Sequence, residues 1–216
     1  MPNKAKDILT IRNDYQLKRL AKNQFKPDPM QQFEKWMKEV LASEIREPNA
    51  MILSTVGTTG APSARVVLLR EVNSEGFIFY SNYLSRKGNQ MEQNNNVSLT
   101  FFWKEIERQV RVEGKAIRID NQKSDAYFAS RPVDSQIGAM VSPQSKPIPS
   151  REYLTRLFAT FKKKNADKII PRPEHWGGYL VKPDMIEFWQ GRPNRLHDRI
   201  AYYRKEDDWE IQRLAP

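Results

Sequence analysis

From residue 50 to residue 119 the chain is a succession of short apolar runs broken by turn signals, with room for only one helix among them. The run 50–56 is followed by Gly57-Thr58-Thr59-Gly60, then by 63–70 with Val66-Val67-Leu68-Leu69 at its centre, then by Phe77-Ile78-Phe79-Tyr80. Runs of this length between glycine-rich turns read as strands. The continuous apolar stretch in 63–70 reads as one buried on both faces. Segments 97–103 and 107–119 make a hairpin about Lys104-Glu105, and a change of apolar parity near Gly114 places a bulge in its second arm. The strict alternation of strand and helix that a doubly wound parallel sheet requires is missing. The pattern therefore specifies a mainly β protein, an antiparallel barrel with helices packed outside.

The helices are legible from spacing and caps. Phe33, Trp36, Met37, Val40 and Leu41 predict a helix over 31–43, stopped by Arg46-Glu47-Pro48. Ser85 is the N-cap of a helix over 86–93. A helix over 121–130 stops before Pro132, and 131–149, with four prolines, reads as a loop. Tyr153, Leu154, Leu157, Phe158 and Phe161 form the apolar stripe of a helix over 151–164. Further strands are predicted at 176–181, 185–189, 199–204 and 209–213. Residues 1–30 are a polar, basic segment, with a short helix over 7–20 and an extended connector ending at Pro27 and Pro29. Residues 31–216 form a single domain. At 39% hydrophobic, 216 residues suffice for one sizeable core.

Thirty-six Lys and Arg against 26 Asp and Glu give a net charge of +10, which favours anionic partners without choosing among them. Cysteine is absent, so disulfides, thiolate metal sites and cysteine nucleophiles are excluded. Two histidines and no His-Glu-x-x-His argue against a metal site. There is no Gly-x-Gly-x-x-Gly and no P-loop, so any phosphate chemistry rests on side chains and helix ends. The first residues lack an apolar run, and no segment has the apolar length of a membrane span, so a cytoplasmic location is expected, with no membrane partner.

Three groups of residues suggest anion or ring binding. Arg195, His197 and Arg199 are two apart, so in extended backbone they would share one face beside Trp189. That set suits a flat, electron-rich or anionic ring, although a lone Trp189 is also a plausible core residue. Arg86 and Lys87 follow the Ser85 cap, where free N–H groups and the helix dipole favour an anion; the plain alternative is a capped surface helix. Tyr127 and Arg131 lie four apart on a helix, with Ser135 beyond Pro132, a donor set for a phosphate dianion or else a surface pair. Arg65 and Arg70 bracket the apolar run Val66-Val67-Leu68-Leu69 with opposite parity, so both serve one site only if the strand bends or a second subunit takes part.

These residues fall within a longer ordered set: Arg65-Val66-Val67-Leu68-Leu69, Phe79-Tyr80-Ser81-Asn82, Ser85-Arg86-Lys87, Glu107-Arg108-Gln109-Val110, Ser130-Arg131-Pro132, and Asp134-Ser135-Gln136-Ile137-Gly138-Ala139. Val141-Ser142-Pro143-Gln144-Ser145, Trp176-Gly177-Gly178, Glu187-Phe188-Trp189-Gln190-Gly191, Arg195-Leu196-His197-Asp198-Arg199 and Arg213-Leu214-Ala215-Pro216 complete it. The set resembles the pyridoxamine 5′-phosphate oxidase family from about Arg12 to Pro216. The resemblance implies a Greek-key split β-barrel homodimer that binds FMN between subunits. It implies oxidation of pyridoxamine 5′-phosphate and pyridoxine 5′-phosphate to pyridoxal 5′-phosphate by dioxygen, with hydrogen peroxide as a product.

Residue by residue, the resemblance assigns FMN contacts to Arg65, Val66, Leu68, Tyr80, Ser81, Arg86, Lys87, Gln109, Gln144, Ser145, Trp189 and Arg199. It assigns substrate contacts to Arg70, Tyr127, Arg131, Ser135, Arg195 and His197, the last two also catalytic, and places Arg12 and Tyr15 in a segment covering the site. Arg70 stands where the family usually has lysine; it keeps the charge and changes reach and geometry. Competing readings are a split-barrel flavin oxidase for another small aromatic metabolite, a flavin or vitamer carrier without turnover, and a basic nucleic-acid-binding module. The last is disfavoured because many cations lie within the matched motifs, not in one exposed stripe.

Overall fold

The computed structural model describes residues 25–216 except Asp167. The helix expected over 7–20, with Arg12 and Tyr15, lies outside these residues. The described chain forms one antiparallel sheet with helices around it. Its elements are α1 (Pro29–Leu41), β1 (Ala50–Val56), β2 (Pro62–Leu68), β3 (Glu71–Asn73), β4 (Gly76–Asn82), α2 (Arg86–Gln93), β5 (Asn96–Trp103), β6 (Arg108–Arg118), α3 (Asn121–Ser130), α4 (Val133–Val141), α5 (Arg151–Lys164), β7 (Trp176–Gln190), β8 (Asp198–Lys205) and β9 (Asp208–Leu214).

The strands run in the order β2-β1-β5-β6-β7-β4-β3, with β8 paired to β7 and β9 to β8. The two ends of that order, β2 and β3, are consecutive in the chain. At their junction Leu69 N donates to Asn49 O and Arg70 N to Ile78 O, so the backbone passes from the β1 side to the β4 side. This is the split barrel. Strand β2 corrects the expectation of a doubly buried strand. Among the described residues it pairs only with β1, and Val66 on its outer face is 66% exposed.

The segments 176–181 and 185–189, expected as two strands, are one strand of 15 residues. Pro183 does not break it, because it sits opposite Gly114 at the register shift between Glu113 and Gly114. A bulge tolerates a residue with no N–H to donate. The bulge forecast at Gly114 is thus present, and it is tight: a Cβ there would come within 2.1 Å of Lys182 O.

Helix α1 starts at Asp28, whose carboxylate accepts from Met30 N, and lays its apolar stripe on the barrel. Phe33 is fully buried edge-on to Phe77, with ring centroids 4.9 Å apart. Arg108 ties the helix down, with its guanidinium 4.3 Å from the Trp36 ring and 2.8 Å from Glu39. A second, smaller core (Phe128, Ile137, Ile170 and Trp176) lies under α3, α4 and α5. Helix α4 replaces part of the loop expected over 131–149. Pro132 precedes its first turn, where a missing N–H is no loss. Ile137 is buried beside it, and Pro143, Pro147 and Pro149 then keep the following segment non-helical.

Gly114→Ala should destabilise the protein by roughly 2 kcal/mol or more, because the bulge has no room for a methyl group. Gly138→Ala, in α4, should be neutral or stabilising by up to about 1 kcal/mol, since a Cβ at that position would meet nothing within 4 Å. Urea denaturation of both variants reads the difference.

Candidate active site

The first group of site residues gathers where β2 meets α2. Arg65 extends from β2 and donates to Leu53 O (2.9 Å), Thr55 Oγ1 (2.7 Å) and Ser63 Oγ (2.7 Å). Thr55 and Ser63 in turn both contact Gln90 Oε1 at 2.8 Å, which fixes the guanidinium against α2. Ser85 caps α2 as expected, its Oγ accepting from Gly88 N, and places Arg86 and Lys87 in the first turn. Lys87 Nζ donates to Gln144 Oε1 at 2.6 Å and to Ser85 Oγ at 3.3 Å. Every one of these partners of Arg65 and Lys87 is a neutral oxygen. Burial, with the Arg65 charge beside it, pushes the Lys87 ammonium down to about 8. Burial and Arg86 likewise lower Arg65. An open cleft of about 420 Å³ adjoins the group, lined among others by Arg86, Gln144 and Ser145. Three cations held together without a carboxylate are arranged for an anion from outside the chain.

The second group lies between β4, α3 and the start of β7. The rings of Tyr80 and Tyr127 stack with centroids 3.8 Å apart, and Trp176 lies parallel to Tyr80 at 5.5 Å. The Arg131 guanidinium sits 4.5 Å from the Trp176 ring centre. Its Nη1 is buried without a hydrogen-bond partner among the described residues. Burial lowers Arg131, Tyr127 opposes that, and the charge of Arg70 adds to it, so Arg70 and Arg131 act on the same space. Burial, aided by Glu71 and Tyr127, raises the Tyr80 phenol to about 12 and keeps it neutral. Ser135 is half-buried in the first turn of α4, and Gln136 Nε2 holds that turn to Ala129 O and Arg131 O.

The third group is a row across three strands. Gln109 pairs with Trp189, and Trp189 with Arg199, all half-buried. The expected strand face of Arg195, His197 and Arg199 is corrected here. Asn194 and Arg195 have positive φ (57° and 59°) in a short 3₁₀ turn, and β8 begins only at Asp198. The Gly191-Arg192-Pro193-Asn194 turn breaks the two-residue period. His197 is nevertheless beside Trp189, with ring centroids 4.7 Å apart. Its Nδ1 accepts from Arg192 N at 3.1 Å, which leaves Nε2 as the protonated nitrogen of the neutral ring. Burial and the nearby Arg195 lower the imidazole below its ordinary value, favouring that neutral form. Arg199 is not a bare charge: Glu187, 3% exposed, accepts from it at 2.7 and 3.0 Å.

The chain therefore brings Arg65, Arg86, Lys87, Gln144 and Ser145 together, and separately Tyr80, Tyr127, Arg131 and Arg70. Val66 and Leu68 lie on β2, and Ser81 is buried on β4. The row Gln109–Trp189–Arg199 is separated from β2 by β1 and β5 in the sheet order. Sequence reasoning missed the supporting oxygens of Thr55, Ser63 and Gln90, and the carboxylate of Glu187. Only the two-residue spacing of Ser63 and Arg65 hinted at the first set. No group of three or more His, Cys, Asp or Glu side chains that could hold a metal occurs among the described residues. No described helix is long and apolar enough to cross a membrane.

Fold and site together define a split-barrel protein with clusters of cationic side chains that, among the described residues, lack carboxylate partners. The comparisons with known proteins refine that class. Residues 37–164 match the family described as pyridoxamine 5′-phosphate oxidase, and residues 176–216 match a pyridoxine 5′-phosphate oxidase C-terminal dimerisation region. A pyridoxine/pyridoxamine 5′-phosphate oxidase of Actinobacillus succinogenes is 50% identical over 210 residues, covering 97% of this chain and all of that one. One of Rubrobacter xylanophilus is 49% identical over the full length of both. Among solved structures, PhzG of Burkholderia lata 383, in complex with tetrahydrophenazine-1-carboxylic acid, superposes with a TM-score of 0.87 at 27% identity, covering 93% of this chain and 99% of that one. The chain belongs to the pyridoxamine 5′-phosphate oxidase family.

The lowered Lys87 makes anion affinity at the first group depend on pH. The ammonium form attracts the anion and is lost as pH rises through about 8 in the free protein. Calorimetric titration with sulfate, which does not itself titrate there, should show affinity falling roughly fivefold from pH 8 to pH 9. Lys87→Met should bind more weakly at pH 7 and show no such fall.

Proposed function

We propose that the protein oxidises pyridoxamine 5′-phosphate and pyridoxine 5′-phosphate to pyridoxal 5′-phosphate, with FMN as cofactor and dioxygen as acceptor, and that it works as a homodimer. Identity of about one half with oxidases of that name along the whole chain carries this reading. The donor sets fit it. Arg65 and Lys87, whose hydrogen bonds go to neutral oxygens, and Arg86 beside them suit the terminal phosphate of FMN, with Gln144 and Ser145 along the same cleft. Val66, Leu68, Tyr80 and Ser81 lie on the adjoining strands and would flank the cofactor. Held by these residues, FMN would supply the two-electron redox chemistry, with dioxygen as acceptor and hydrogen peroxide as product.

Arg70, Tyr127, Arg131 and Ser135 hold the substrate phosphate in this reading, and the buried, unpartnered Nη1 of Arg131 supports it. Arg195 and His197 orient the reacting carbon, His197 as a neutral N–H donor fixed by Arg192 N. Trp189, Gln109 and Arg199 border the flavin ring, and the charge of Arg199 is moderated by Glu187. The amine substrate yields an imine, which water hydrolyses to the aldehyde and ammonia. Arg12 and Tyr15 cover the site by resemblance alone.

Because the β6–β8 row stands apart from the β2–α2 cations, the reading draws the two from different copies of the chain. Val66, Ile52 and Phe102 are exposed on the outer face of β2, β1 and β5, an apolar patch suited to contact with a second copy. The matched dimerisation region supports the same assembly.

Purified protein supplied with FMN should consume oxygen on addition of pyridoxamine 5′-phosphate while pyridoxal 5′-phosphate accumulates. A protein idle on both phosphorylated vitamers but active on a ring carboxylic acid would overturn the substrate assignment. Arg195→Leu should keep its flavin and lose at least about tenfold in kcat/KM, or about 1.4 kcal/mol of transition-state stabilisation. Wild-type turnover in that variant would remove Arg195 from the mechanism.

A further inference from the structure

Trp176 opens β7 in the Trp176-Gly177-Gly178 motif, and no role has yet been given to it. It is 7% exposed, yet one face of its indole is given to a cation and not to the apolar core. We propose that Trp176 is a positioning residue for phosphate recognition: its ring fixes the plane of the Arg131 guanidinium and leaves Nη1 to donate to the substrate phosphate. The proposal rests on the substrate reading above.

A protein can hold an arginine in place in two ways. A carboxylate does so through the N–H groups and thereby uses them and cancels the charge, as Glu187 does for Arg199. An aromatic face holds the guanidinium by its flat side, and the N–H groups, which lie in the plane, stay available. Arg131 is held the second way. Its Cζ is 4.5 Å from the Trp176 centroid and 5.6 Å from that of Phe128. Its backbone is pinned too, with N donating to Phe128 O at 3.2 Å and O accepting from Gln136 Nε2 at 2.8 Å. Nη1 is buried and makes no hydrogen bond among the described residues. A buried donor with no acceptor is costly in a folded chain unless a ligand completes it.

Trp176 is itself rigidly placed. Its N donates to Pro173 O at 3.0 Å, and its O accepts from Arg172 Nη1 at 2.6 Å. Tyr80 stacks on one side at 5.5 Å and Phe128 meets it edge-on at 5.2 Å. The two glycines that follow are explained by the same packing. A Cβ on Gly177 would lie 2.1 Å from Tyr83 Oη, and one on Gly178 would lie 2.3 Å from Ile119 and 3.0 Å from Tyr80. The start of β7 is therefore pressed between Tyr83 on one side and Ile119 and Tyr80 on the other, which fixes where the indole stands beside Arg131.

The test compares Trp176→Leu and Trp176→Phe with the wild type, all reconstituted with FMN. Trp176→Leu should raise KM for pyridoxamine 5′-phosphate and Kd for pyridoxal 5′-phosphate about tenfold, with kcat within about twofold. Affinity for pyridoxal, which lacks the phosphate, should not change. Trp176→Phe keeps an aromatic face and should recover most of the loss. Equal weakening of pyridoxal and pyridoxal 5′-phosphate in either variant would show a general packing role and overturn the proposal, as would wild-type affinity for both in Trp176→Leu. If Trp176→Leu does not fold, Trp176→Met, which also lacks an aromatic face, is judged by the same ratio: a loss confined to the phosphorylated ligand supports the proposal, and any other result overturns it. A wild-type protein that neither binds pyridoxal 5′-phosphate nor turns over its precursors fails the substrate reading itself, a separate outcome.

Discussion

Strand β7 is shared between two neighbours that cannot both run its whole length. Its first part, from Trp176 to Val181, pairs with β4, and its last part, from Met185 to Gln190, pairs with β8. The exchange happens at Pro183, opposite the bulge at Gly114. One backbone irregularity thus divides the barrel and sets Trp176 and Trp189 at opposite ends of one strand. The first tryptophan joins the Tyr80–Tyr127–Arg131 group, and the second joins Gln109, His197 and Arg199. The two halves of the candidate site are consequences of that division.

Electrostatics separates the arginines that meet a carboxylate from those that do not. Arg108 meets Glu39, Arg199 and Arg111 meet Glu187, and Arg213 meets Asp198. These pairs knit α1 and the β7–β9 end to the barrel. Arg65, Lys87 and Arg131 are treated differently: their surroundings offer neutral oxygens or an aromatic face, and burial lowers the proton affinity of all three. Burying cations in this way is unfavourable unless an anion completes them. Part of the +10 net charge is therefore gathered in local clusters, one of them beside a cleft of about 420 Å³, which fits phosphorylated small molecules better than a nucleic-acid backbone tracking an exposed stripe.

Local chemistry makes much of this legible in the sequence. Ser85 marks the start of α2, Asn121–Ser130 and Arg151–Lys164 follow their caps and apolar spacing, and the parity change at Gly114 locates the bulge. The failures come where one residue type has two meanings. Pro132 introduces a helix and Pro183 occupies a bulge, whereas spacing alone reads both as breaks. The turn at Pro193–Arg195 defeats a parity argument that holds only in extended backbone. The opposite parity of Arg65 and Arg70 is real, and the bend at Leu69-Arg70 resolves it: one joins Arg86 and Lys87, the other Arg131. The placement of Arg131 on Trp176, far along the chain, leaves no mark in spacing or composition.

A crystal structure of the protein with FMN and pyridoxal 5′-phosphate tests the central claim most directly, that cations denied carboxylate partners are the phosphate sites. The account expects two separate phosphates: one between Arg65, Arg86 and Lys87, and the other within hydrogen-bond reach of Arg131 Nη1 beside Arg70. It also expects the flavin ring to reach the Trp189 row of a second copy. Phosphates bound elsewhere, or a flavin held wholly within one copy and away from any Trp189, would contradict it.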